Sequence, residues 1–110
     1  MNELPLSVVK QTLDYIQEHL SEEISLEAIA NRIGISRYYL SHLFKQSMGI
    51  SLYQYVLQQR VECAKQLLKQ SELSIAEIAL ECGFANQTHL AKHFRNLAGT
   101  SPKAYRNSSV

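Results

Sequence analysis

Proline and glycine are scarce. The 110 residues hold two prolines and four glycines, too few for a low-complexity or disordered chain, so the sequence is expected to fold. Long apolar runs are also missing: no stretch approaches the ~18 consecutive apolar residues of a membrane span. The segment from Met1 to Lys10 contains Glu3 and lacks the basic start and apolar run of a signal peptide. The expectation is a cytoplasmic protein with no membrane partner. The two cysteines, Cys63 and Cys82, form no CxxC pair. A helix-rich chain of this size does not need a disulfide, so they are expected to be reduced thiols filling core space. At 45% hydrophobic and 19% charged residues, what remains has the composition of an ordinary globular domain. The length fits one domain or two very small subdomains sharing a helix.

Acids are rare beyond the first third of the chain. Residues 1–31 carry six of them (Glu3, Asp14, Glu18, Glu22, Glu23, Glu27) against one base, Lys10, whereas residues 32–110 carry ten bases against four acids. The net charge of +1 therefore hides a segregation that leaves the longer part of the chain basic.

The chain repeats itself. Ile24 to Gly34 lines up with Leu73 to Gly83 at an offset of 49. At an offset of 50 the match resumes: Ser36, Leu40, Phe44, Lys45, Gly49, Ser51 and Tyr55 fall on Asn86, Leu90, Phe94, Arg95, Gly99, Ser101 and Tyr105. Within each copy the apolar residues recur at helical spacing, Leu26, Ile29, Ala30 and Ile33 in the first and Ile75, Ile78, Ala79 and Cys82 in the second. Ser25 and Ser74 read as N-caps, and Gly34 and Gly83 as the residues that end each helix. Ser36 and Asn86 then open second helices with inward faces Leu40, Leu43, Phe44 and Leu90, Phe94, Leu97. Each copy is thus helix, short glycine-containing turn, helix, the arrangement that offers a recognition helix to a DNA major groove. A helix hairpin that merely packs is the alternative for one copy; two copies with the same caps and glycines weigh against it.

Between the copies, Ser51 to Gln70 contains no glycine or proline and predicts one helix of roughly 30 Å. It carries two apolar stripes, Tyr53, Leu57, Val61, Ala64, Leu68 and Leu52, Val56, Cys63, Leu67, as expected of a helix packing on both subdomains. An amphipathic helix with Val9, Leu13, Ile16 and Leu20 precedes the first copy, and Ser101-Pro102 starts a last short one. The fold class predicted is all-α, with seven helices in two helix-turn-helix subdomains joined by a long linker helix, a duplicated homeodomain-like plan. The subdomains are placed at 1–50 and 71–107, the linker at 51–70 and a tail at 108–110.

The stretches Ser36-Arg-Tyr-Tyr-Leu-Ser-His-Leu-Phe-Lys45, Tyr55 through Arg60 to Ala64-Lys-Gln-Leu-Leu68, Ser74-Ile-Ala-Glu-Ile-Ala79, Gly83-Phe84, Phe94-Arg95, Gly99-Thr-Ser-Pro102 and Tyr105-Arg106 resemble the DNA-binding domain of the AraC/XylS family of bacterial transcription regulators. The likeness runs from about Val8 to Arg106. It implies two helix-turn-helix subdomains bridged by a long helix, and sequence-specific binding of double-stranded DNA with the recognition helices in successive major grooves. The sequence departs from the family where His42 and Lys92 stand at positions commonly arginine, Leu90 at a usual phenylalanine and His93 at a usually apolar residue. The last two predict looser packing of the second subdomain.

On the first recognition helix, Tyr38, Ser41 and His42 are the candidates for reading bases, and Ser36, Arg37 and Lys45 for gripping phosphates. On the second, Gln87, Thr88 and Lys92 are the base readers, Gln87 offering the donor and acceptor pair that suits adenine; Asn86, Arg95 and Lys103 are the phosphate candidates. A merely solvated helix face is the competing account of each residue taken singly. Arg106 is open between a phosphate contact and an acid within the fold. His89 and His93, four apart, lack a third ligand and the HExxH glutamate, so neither a metal nor another cofactor is expected. No nucleophile with a base and an orienting acid stands out, so an enzyme is not expected. The rival from another class is a protein-interaction module, with RNA polymerase as candidate partner. The chain is expected to be monomeric; on length, it fits both a stand-alone regulator and a C-terminal domain with an effector or dimerisation domain ahead of it.

Overall fold

The computed structural model describes residues 5–108. Among the described residues there are seven helices and no strand: α1 (Pro5–Glu18), α2 (Leu26–Ile33), α3 (Arg37–Met48), α4 (Leu52–Gln70), α5 (Ile75–Glu81), α6 (Gln87–Ala98) and α7 (Pro102–Asn107). The tail placed at 108–110 lies, apart from Ser108, outside them.

The helix starts follow from single side chains. Ser25, Ser36, Ser74 and Ser101 each accept a bond on Oγ from the backbone N–H three residues on, at 3.0 to 3.1 Å. Asn86 Oδ1 does the same for the N–H of His89 at 2.8 Å. Each satisfies one of the donors that a helix leaves unpaired in its first turn. At α5 the bond is reciprocated, because Glu77 Oε1 accepts from the Ser74 N–H at 2.8 Å. That backbone bond, with the Ser74 hydroxyl, holds the Glu77 carboxyl below its usual range. Ser51 and Gln54 form an uncharged version of the same box at the head of α4, with both bonds at 3.1 Å.

The turn inside each repeat is closed the same way twice. The N–H of Ile35 reaches back to the carbonyl of Ala30 at 3.0 Å, and that of Phe84 to Ala79 at 2.8 Å. This six-residue return needs a left-handed residue just before it, supplied by Gly34 at φ 90° and Gly83 at φ 91°. A Cβ at Gly34 would meet nothing within 4 Å, so backbone conformation and not space demands glycine there. The second copy has Ala85, exposed, as an extra residue between this turn and the cap, which accounts for the offset changing from 49 to 50.

By packing, the chain divides into two compact units, Met1–Val56 and Leu57–Val110. The first has a core of Val8, Val9, Ile16, Ile29, Ala30, Leu40, Leu43, Phe44 and Val56. The second is built on Leu57, Val61, Ala64, Leu68, Ile78, Ala79, Cys82, Phe84, Leu90 and Phe94. The repeat persists in aromatic detail: Phe44 meets Tyr55 edge-on at 5.6 Å, and Phe94 meets Tyr105 at 5.4 Å.

Three expectations about faces are corrected. Helix α4 is divided along its length and not by stripe: Leu52, Tyr55 and Val56 belong to the first core, while Cys63 and Leu67 join Leu57, Val61, Ala64 and Leu68 in the second, and Tyr53 is exposed. On α1 the most deeply buried residues include Val8 and Thr12, which the stripe of Val9, Leu13, Ile16 and Leu20 omits. A threonine can be buried there because its hydroxyl donates to the Val8 carbonyl at 2.8 Å. On α6, Leu97 is 46% exposed; the inward residue is its neighbour Ala98, eight positions after Leu90 and four after Phe94. Leu90 itself is fully buried, so the departure from phenylalanine leaves that position filled.

Candidate DNA interface

Neither α3 nor α6 contains an aspartate or glutamate. With Leu40, Leu43 and Phe44 turned inward, α3 presents Arg37, Tyr38, Ser41, His42 and Lys45, all exposed. Tyr38 is 82% exposed, and its ring lies near-parallel to that of His42, one turn on, with centroids 6.4 Å apart. The pair stands over a shallow depression also lined by Ser41, Lys45 and Gln46. Gln46 had not been singled out, although its spacing of four from His42 and eight from Tyr38 puts it on the same face. A face with two cations, a flat aromatic edge, an imidazole, a hydroxyl and an amide holds the donors and apolar edges suited to phosphates and base edges.

On α6 the exposed residues are Gln87, Thr88, Lys92 and Arg95, and Lys103 is exposed on α7. All twelve candidates are therefore on the surface, but two are already engaged. The side-chain oxygens of Ser36 and Asn86 cap their helices, leaving the Ser36 hydroxyl proton and the Asn86 amide group as their remaining donors. Arg106 is engaged within its own unit. Its Nε donates to the Leu68 carbonyl at 3.0 Å and a second guanidinium nitrogen to Ser71 O at 3.3 Å, so its partners in the fold are carbonyls at the end of α4, which it caps, and not an acid. Lys69 adds to this tie by donating to the Ser108 carbonyl at 2.7 Å across the Tyr105 ring.

His89 and His93 meet edge to face with centroids 4.7 Å apart, and Phe84 packs against both rings. His89 Nδ1 accepts from the Ala85 N–H at 3.3 Å. Among the described residues no three His, Cys, Asp or Glu side chains gather as metal ligands. Burial, then His89 and Lys92, pushes the His93 pKa below its ordinary value. The unfolded chain takes up that proton more readily, so the stability tied to His93 is complete above ~6.5 and is lost as the pH falls from there through the lower folded value. The matching residue in the first copy is Leu43. His93→Leu is expected to flatten the loss of urea-unfolding stability of the second unit as the pH falls below ~6.5, and an unchanged profile would refute the assignment.

Comparison with known proteins agrees with this geometry. A family model described as a helix-turn-helix domain matches residues 29–108. A crystal structure of an AraC-type DNA-binding transcriptional regulator from Chromobacterium violaceum superposes with a TM-score of 0.86 at 33% identity, covering 92% of this chain and 90% of that one. The chain belongs to the AraC-type helix-turn-helix family. The DNA-binding domain of AdpA, a global transcriptional factor crystallised with a target DNA, superposes with a TM-score of 0.84 at 36% identity over 89% of the chain and 88% of its own. Among relatives, the regulatory protein PocR of Salmonella typhimurium is 41% identical over 100 residues, 91% of this chain. The chain spans only 33% of PocR and 38% of the probable transcriptional regulator LumQ of Photobacterium leiognathi, about a third of their length. This AraC-type domain is a DNA-binding domain of a transcription regulator, a family that is not an enzyme class. Among the described residues no helix is long and apolar enough to cross a membrane.

Proposed function

We propose that the chain reads double-stranded DNA as a monomer, with α3 and α6 each entering a major groove and the two grooves successive. The carrying observation is the repeated, carboxylate-free, capped helix with its exposed cations, present twice in one chain. Tyr38, Ser41 and His42 read bases on one side and Gln87, Thr88 and Lys92 on the other, while Ser36, Arg37, Lys45, Asn86, Arg95 and Lys103 hold the backbone. Because Tyr38, Ser41 and His42 align with Thr88, Ala91 and Lys92, the two faces differ and the preferred site is asymmetric. Selection from random duplexes followed by footprinting tests this. One chain is expected to protect about two turns of a non-palindromic site; a palindrome filled by two chains would overturn it.

Lys45 and Arg95 occupy equivalent positions and serve as backbone contacts. Replacing either by glutamine is expected to weaken binding to all sequences alike and to reduce the slope of log affinity against log salt by about one. An unchanged slope in both variants would remove them from the interface.

A protein partner is supported by a separate observation. Asp14, Glu18, Glu22, Glu23 and Glu27 are exposed on α1, α2 and the turn between them, and DNA reading does not use them. RNA polymerase is the candidate. Reversing Glu22 and Glu23 to lysine is expected to lower transcription activation while leaving the gel shift intact.

A further inference from the structure

The core of the second unit is hydrocarbon except at one point. Cys82, fully buried and the last residue before the Gly83 turn, has its sulfur 2.8 Å from that of Cys63 on α4. The two thiols are unbonded, and they are not alike. Cys82 donates its S–H to the Cys63 sulfur, and Cys63 is partly exposed. At the matching position of the first copy stands Ile33, an ordinary apolar residue, so packing alone does not call for sulfur here.

We propose that Cys63 and Cys82 are a redox-modification site, at which a peroxide oxidises Cys63 and Cys82 then closes a reversible intrachain disulfide, joining α4 to the turn that precedes α6. The geometry fits without refolding. A disulfide brings its sulfurs to about 2.05 Å, less than ~1 Å closer than they already stand. The division of labour follows from the surroundings. The hydrogen bond from Cys82 pulls the Cys63 pKa down to about 7, against the opposing effects of burial and the Glu81 charge. The same bond, then burial and the charges of Cys63 and Glu81, push Cys82 up. Cys63 is thus the thiolate that attacks, and Cys82 the resolving thiol.

The steps balance. The Cys63 thiolate attacks one oxygen of hydrogen peroxide, the O–O bond breaks, and sulfenic acid forms with release of hydroxide. The Cys82 sulfur then attacks the Cys63 sulfur, the S–OH bond breaks, and the Cys82 proton leaves with that hydroxyl as water. Two thiols are oxidised by two electrons and one peroxide is reduced to two waters. Dithiothreitol reverses the product by thiol exchange.

The test uses the chain as it exists. Reduced protein is treated with hydrogen peroxide, alkylated under denaturing conditions and digested, and its melting temperature is followed in parallel. A linked peptide pair containing Cys63 and Cys82 is expected, with loss of both alkylatable thiols and a rise in melting temperature of at least about 4 °C that dithiothreitol abolishes. In Cys82→Ala, dimedone is expected to trap sulfenic acid on Cys63, formed more slowly than the wild-type disulfide because the bond that favours the thiolate is gone; in Cys63→Ser, Cys82 is expected to stay an unreacted thiol. The wild-type peptide map stands even where a variant folds poorly. Two intact thiols after peroxide, a disulfide between chains, or sulfinic acid on Cys63 beside a free Cys82 would each overturn the proposal.

Discussion

Phe94→Ala is expected to cost the second unit about 3 to 5 kcal/mol, a large share of the ~5 to 15 kcal/mol that small domains hold in all. The ring is completely buried among Ile78, Cys82, Phe84 and Leu90 and meets Tyr105 edge-on. Its removal loses the transfer energy of the side chain and leaves a void that the short surrounding helices fill poorly. Leu97→Ala, three residues on and half exposed, is the control and is expected to cost under ~1 kcal/mol. Urea unfolding of both variants decides. Similar losses at the two positions would mean that the core of this unit is not organised around Phe94.

On the DNA side, the largest single effect is expected at Gln87. It is the first residue of α6, exposed, with the side-chain oxygen of Asn86 beside it engaged in the cap. Its own amide is free to pair in two-point fashion with adenine, worth about 1 to 3 kcal/mol of discrimination. Gln87→Ala is therefore expected to weaken binding to the selected site roughly 5- to 150-fold and to relax preference at one base pair, with affinity for random duplex unchanged. Competition titration on single-base variants of the site measures this. Equal loss on specific and random DNA would make Gln87 a backbone contact.

Much of this was readable from sequence because it is local. A serine or asparagine followed three residues later by a free N–H, and a glycine that must turn left-handed, are decided within five residues, and the duplication states each of them twice. The exposed sets on α3 and α6 were readable for the same reason, being what remains once an apolar face is assigned. What escaped depends on distance along the chain. Arg106 binds carbonyls 38 and 35 residues away, and Cys63 meets Cys82 across 19. No period or cap announces either contact. The lengthwise split of α4 was hidden because both halves keep the same helical spacing, and only the residues packed on each half tell them apart. The burial of Thr12 depends on a hydroxyl bond to its own helix, which no apolar spacing shows.

The division at Val56 and Leu57 falls within unbroken helix, and this has a practical consequence for anyone wishing to separate the halves. A fragment beginning at Leu57 would open on raw helix, its first-turn amides without the Ser51 and Gln54 cap. A fragment ending at Val56 would keep barely one turn of α4, too little to stay helical, and would loosen Tyr55 from Phe44. Independent expression therefore requires pieces that share the same stretch, roughly 1–70 and 51–110, so the two halves overlap as genetic text. For a protease the same feature means that the boundary offers no loop to cut, and limited digestion should leave α4 whole while nicking elsewhere.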